Sequence, residues 1–163
     1  MKRIIKRGMH YARPLNLFDK LFSVGKCSAN AIVKFGESCR YDIGKDQTDI
    51  NKLFGISFGY HHTNSARIGW RYVPKFDKIE LTTYCYVDGE RIKEKSLGFI
   101  EFGKTYLVQI LSTTDLVRFV LDGSERAEEK VPSAGISYPL SLYFGGNCTA
   151  PHNMYIDLNV NWK

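Results

Sequence analysis

The sequence predicts an all-β chain folded as one antiparallel β-sandwich of the jelly-roll kind. Three observations carry that expectation. Apolar residues recur at every second position in several segments, Asp-Gly pairs fall between them, and helical periodicity is weak throughout. Aromatic residues make up 13% of the chain and glycine occupies 14 positions, which suits pleated surfaces joined by tight turns. A length of 163 residues fits one domain and can bury a core without disulfide or metal staples.

Taken in order, "SANAIVKF" (28–35) reads as the first clear strand. "DQTDINKLFG" (46–55) is the best helical candidate: Asp46 or Thr48 can cap a single turn and Gly55 can end it. Residues 65–73 and 78–87 pair as a hairpin through "PKFDK", where Pro74 and Asp77 suit the turn. With Tyr72 opposite Ile79, Trp70 faces Leu81, Ile68 faces Thr83 and Ala66 faces Cys85, an apolar side. The other side pairs Arg71 with Glu80, Gly69 with Thr82 and Arg67 with Tyr84.

Asp88-Gly89 marks a two-residue hairpin, and Asp122-Gly123 repeats the device. "KTYLVQILSTTDLVRFVL" (104–121) reads as two strands joined by the polar link 112–115. "YPLSLYFGG" (138–146) is a further strand ending at a Gly-Gly turn. "NMYIDLNVNW" (153–162) places Met154, Ile156, Leu158, Val160 and Trp162 on one face and polar residues or Tyr155 on the other. The count comes to about ten short strands, in the range of a sandwich. Its core is expected to hold Ile68, Trp70, Leu81, Val108, Ile110, Phe119, Leu142, Phe144, Ile156 and Leu158.

Charge divides the chain at its start. Residues 1–13 hold Lys2, Arg3, Lys6, Arg7 and Arg13 and no acid, leaving 18 of the 23 basic side chains against 17 acids elsewhere. The expectation is a basic amino-terminal arm over 1–16 and a neutral sandwich over 17–163. A neutral body argues against a nucleic-acid-binding face. The arm is a place for a protein assembly partner. Only Ile4 and Ile5 adjoin before charge interrupts, so no secretory signal is read there, and no later stretch has the ~18 apolar residues of a membrane helix. Cytoplasmic synthesis follows as an expectation, with the virion of a phage as one destination.

The cysteines Cys27, Cys39, Cys85 and Cys148 form no C-x-x-C pair, so a cysteine zinc site is not expected. Cys85 reads as a small buried apolar residue, and Cys27 with Cys39 has a spacing that permits a bridge. Asp42, Asp46 and Asp49, with Asn51, offer oxygen ligands from one segment, which suits Ca²⁺; the alternative is a turn and a cap bonding local backbone. His61 and His62 are adjacent, so in extended chain they would point to opposite faces and could not easily share one ion; the favoured reading is a loop with one histidine packed and one solvated.

"PLSLYFGGNCTAPH" resembles the closing strands of the laminin-G and concanavalin A-like jelly rolls. The longer run from "DINKLFGISFGYHHTNSARIGWRY" through "YCYVDGERI" to "YFGGNCTAPHNMYIDL" is similar to small one-domain proteins of bacteria and their phages. The resemblance implies the fold, and by analogy of fold a glycan ligand. Sandwich hydrolases of this group carry Glu-x-Asp-x-x-Glu on one strand, a pattern missing here. Jelly-roll polysaccharide lyases carry Arg-x-Glu, Gln-x-His and Tyr-x-Lys strands; "VQIL" lacks the histidine and "SLYFGG" the lysine.

The resulting expectation is a non-catalytic glycan-binding module, not an enzyme. Two alternatives stand beside it: a structural or fibre-associated phage protein, and a glycan-active hydrolase or lyase. The candidate ligand-binding residues are Arg67, Arg71, Tyr84 and Tyr86 on the face away from the core, with His62, Asn64, Asn147 and His152 in loops. Flat rings stack on sugars while forked guanidinium donors take their oxygens.

Overall fold

The computed structural model describes residues 1–14, 28–133 and 136–163. Its strands are β1 (Lys2–Ile5), β2 (Ala12–Arg13), β3 (Ser28–Phe35), β4 (Asn51–Phe58), β5 (Ser65–Val73), β6 (Lys78–Val87) and β7 (Glu90–Arg91). There follow β8 (Ser96–Ile100), β9 (Tyr106–Ser112), β10 (Leu116–Leu121), β11 (Ser124–Lys130), β12 (Ser137–Leu140) and β13 (Met154–Trp162). They build two antiparallel sheets, ordered β11-β10-β9-β3-β13-β1-β2 and β12-β4-β5-β6-β7, with β8 also on β6. This is the jelly-roll sandwich that the alternating segments predict.

The two sheets bury their facing sides against each other. All ten expected core residues are buried, and Trp70 lies at the centre, its ring 5.0 Å from Phe35 and 6.0 Å from Phe144. Cys85 is buried, which pushes its thiol up to about 12. The β5–β6 register is the expected one at every pair, from Tyr72–Ile79 to Arg67–Tyr84. Both Asp-Gly turns have positive φ at both residues, the twist that matches two-residue hairpins.

Residues 46–55 are not one helical turn: a 3-10 turn covers Gly44–Asp46, and β4 begins at Asn51. Every residue of β4 is buried, so the strand shows no alternation that a sequence pattern could reveal. Likewise, residues 1–13 are not an arm apart from the sandwich. β1 pairs with β13, β2 pairs with β1, and Ile5 is fully buried in the core. Only one isoleucine faces inward, so the charges around it conceal the strand. The segment "YPLSLYFGG" also splits: β12 ends at Leu140, and Tyr143 forms separate bridges to Tyr11 and Lys52. The Cys27–Cys39 pairing lies outside the described residues.

Candidate functional site

Strand pairing on the six-stranded sheet sets the site in three rows on its outer side. Residues opposite each other in a ladder point the same way. One row runs Tyr138, Ser57, Ser65, Tyr86, Arg91. The next runs Leu140, Gly55, Arg67, Tyr84. The third runs Tyr11, Tyr143, Lys52, Gly69, Thr82, because Tyr143 bridges the amino-terminal segment to β4. From these rows Tyr11, Lys52, Arg67, Tyr84, Tyr138 and Tyr143 line a cleft of about 550 Å³, with His61 and His62 of the 59–64 turn and Gly146 also on its wall.

Gly55 is required for this floor. A Cβ there would stand 2.5 Å from Cγ of Arg67 and 2.6 Å from the Ala66 carbonyl oxygen. The arginine stem therefore lies across the glycine, with its Nε buried and without a hydrogen-bond partner. Burial lowers the Arg67 pKa from its ordinary value.

Tyr84 is the centre of the charge pattern. Lys52 Nζ stands 4.7 Å from its ring centroid, Arg91 Cζ 4.7 Å and Arg67 Cζ 5.8 Å. Arg91 is tied to Glu94 at 3.1 Å, but among the described residues neither Lys52 nor Arg67 has a carboxylate within 4.0 Å. Lys52 is 7% exposed, and its Nζ donates to the Gly145 carbonyl at 2.8 Å. Burial, with Arg67 and Arg91 nearby, depresses its pKa to about 8. Burial keeps the Tyr84 phenol above its ordinary value, and Tyr143 is raised for the same reason.

Across the cleft, His61 and His62 sit in a turn and not in extended chain. This is the loop expected for them, with His61 half-buried and His62 exposed; their rings are 4.3 Å apart and both line the cleft. The turn is pinned by Ser65 Oγ donating to the His61 carbonyl at 2.7 Å, and by Asp88 N–H donating to Asn64 Oδ1 at 2.9 Å. Burial and the neighbouring Arg67 lower the His61 pKa, which favours the neutral imidazole. The His62 ring meets Tyr86 edge-on at 5.0 Å. The set can hold an anion at Lys52 and Arg67, accept a proton at imidazole and donate one from a phenol.

The candidates are thus divided. Arg67, Tyr84, Tyr86 and His62 come together, while Asn64 supports the turn. Arg71 is held by Glu80, with Nε donating at 2.8 Å, and faces a neighbouring hollow beside Thr48 and Lys93. His152 has Nε2 2.7 Å from the Ser38 carbonyl oxygen, outside the cleft, and exposed Asn147 follows the lining residue Gly146. Asp42 Oδ1 accepts from the Gly44 N–H, and Asp46 Oδ2 accepts from Cys148 Sγ at 3.3 Å. Asp49 lies by Gly146 and near Lys52, and among the described residues no three acids, His or Cys are grouped to hold a metal. Lys52, His61, Arg91, Tyr143 and Tyr11 are lining or neighbouring residues that sequence reasoning missed. Lys52 stands in the strand read as a helical turn, and Tyr11 in the segment read as an arm.

No family model and no curated protein matches the chain, so the resemblance to a small bacterial and phage family finds no support there. Solved structures match in shape. An alginate lyase from Pseudomonas aeruginosa aligns with TM-score 0.56 and 12% identity, over 83% of this chain and 64% of that enzyme's length. The alginate lyase AlyC3 aligns with TM-score 0.60 and 11% identity, over 99% of this chain and 69% of the enzyme. An alginate lyase from Klebsiella pneumoniae gives 0.57 and 12%, over 83% of this chain and 59% of the other. The chain spans about two thirds of these enzymes. At such identities the likeness establishes the jelly-roll fold. Because these neighbours are mostly lyases, they overturn the expectation of a non-catalytic module and of no enzyme.

Proposed function

We propose that the protein is a polysaccharide lyase that cleaves a uronate-containing glycan by β-elimination in this cleft. The observation that carries the reading is the Tyr84 phenol set among cationic side chains, two of which, Lys52 and Arg67, have no carboxylate partner among the described residues. Desolvated cations crowded together are relieved by a bound anion, and sites built this way are where function concentrates. The shape shared with alginate lyases supports the same chemistry.

Elimination asks three things of a site, and the cleft has a group for each. Lys52 and Arg67 neutralise the uronate carboxylate, which makes the proton on the adjacent C5 removable. Neutral His61 takes that proton, with His62 beside it. The C5–H electron pair forms the C4=C5 double bond as the C4–O glycosidic bond breaks, and Tyr84 gives its proton to the departing oxygen. The products are an unsaturated uronate end and a new reducing end, with no other reactant needed.

The test is incubation with alginate, polygalacturonate and glucuronate-containing glycans while following the ultraviolet absorbance of the unsaturated product. Tyr84→Phe should fold and lose roughly 10²–10⁴-fold in turnover, the usual contribution of one acid–base group. Reducing ends appearing without the absorbance would indicate hydrolysis and overturn the reading. So would silence of the wild-type protein on every uronate glycan.

A further inference from the structure

We infer that Tyr11 is a sugar-stacking platform at one end of the cleft, held there by the amino-terminal segment and setting affinity for a polyuronate chain. The inference rests on the lyase reading for the substrate class, but its geometry is independent of the elimination step.

Tyr11 is 57% exposed although it immediately precedes buried Ala12 and lines the cleft. Its ring meets Tyr143 edge-on at 5.0 Å, while His10 stacks flat on Tyr143 at 4.9 Å and 6°. The backbone fixes this arrangement. Phe144 N–H donates to the His10 carbonyl at 2.7 Å, Gly8 N–H donates to the Ala150 carbonyl at 2.8 Å, and Ala150 N–H donates to the Met9 carbonyl at 3.1 Å. His10 Nδ1 lies 2.8 Å from the Phe144 carbonyl oxygen, so it carries the proton there.

Tyr143 in turn exchanges both backbone bonds with Lys52 at 2.8 Å. Tyr11, Tyr143 and Lys52 therefore stand side by side in one ladder, two rings leading to one buried ammonium. A uronate residue has an apolar C–H face and a carboxylate edge. A polyuronate chain laid along this row can stack the C–H face of one residue on Tyr11 while the carboxylate of a neighbouring residue reaches Lys52. An exposed ring on backbone already fixed by these bonds, with one edge against Tyr143, costs little ordering when a sugar stacks on it.

The experiment measures both retention in alginate- and polygalacturonate-loaded native gels and lyase kinetics, for wild type, Tyr11→Phe, Tyr11→Trp and Tyr11→Ala, with melting temperatures alongside. The expected result is about a tenfold rise in KM and matching loss of retention for Tyr11→Ala, with kcat unchanged, since one ring contact is worth about a factor of ten. Tyr11→Phe and Tyr11→Trp should stay near wild type because stacking uses the ring and not the hydroxyl.

Wild-type binding without cleavage, lost on Tyr11→Ala, overturns the lyase reading and upholds the platform. Unchanged retention and KM in Tyr11→Ala overturn the platform and leave the lyase reading intact. Tyr11→Phe failing as badly as a well-folded Tyr11→Ala also overturns it, and a wild-type protein that neither binds nor cleaves any polyuronate overturns both.

Discussion

Lys52 is the residue at which stability and function pull apart. Its folded pKa is about 8 against an ordinary 10.5, so between those values the folded chain binds fewer protons than the unfolded one. This group's contribution to stability therefore rises as pH climbs through that window and is lowest at and below pH 8. Lys52→Met removes a poorly compensated buried cation and should keep or raise the melting temperature at pH 7, flatten its rise above pH 8, and lose polyuronate binding. A clear drop in melting temperature would show that the bond to the Gly145 carbonyl outweighs the desolvation. Trp70→Ala is the contrast: that ring sits in the sandwich centre, and its loss should cost about 3–5 kcal/mol in chemical denaturation.

At the scale of elements, β1 and the β4–β5 pair carry the argument. Deleting residues 1–13 removes Ile5 and Ala12 from the core and uncovers the edge of β13. Burial of one isoleucine alone is worth about 2–5 kcal/mol. The melting temperature should then fall on the order of 10 °C, at about 2–4 °C per kcal/mol for a chain of this size. No shift would mean that β1 is an ornament of the sheet. On β4, Gly55→Ala should displace Arg67 and impair substrate binding more than a typical strand Gly-to-Ala change, because the new methyl meets both a side chain and backbone.

For the whole molecule, one ammonium and one imidazole predict the pH profile of cleavage. Turnover needs His61 neutral, so it should fall as pH drops through the His61 pKa, which lies below the ordinary 6.5. Substrate capture needs the Lys52 ammonium, so KM should rise as pH passes about 8. By linkage, a bound carboxylate raises the Lys52 pKa, and saturating substrate should move the alkaline limb upward. A KM unchanged from pH 7 to 9 would exclude the Lys52 ammonium from substrate capture.

The sequence by itself determined the sandwich, its hairpins and the register of 65–73 on 78–87. Each of these rests on local rules: alternation at period two, Asp-Gly at positive φ, and opposite charges or matched shapes across a ladder. That register already placed Arg67 beside Tyr84. Tertiary structure decided the rest of the cleft. Lys52 belongs to a strand buried on both faces, whose uniform burial erases the period by which a strand is recognised. The loop carrying His61 and His62 was legible, but that both rings line the cleft depends on how the turn packs over the sheet. Tyr11 reaches the site through bridges to Tyr143, more than a hundred residues away along the chain, a pairing that no local pattern encodes.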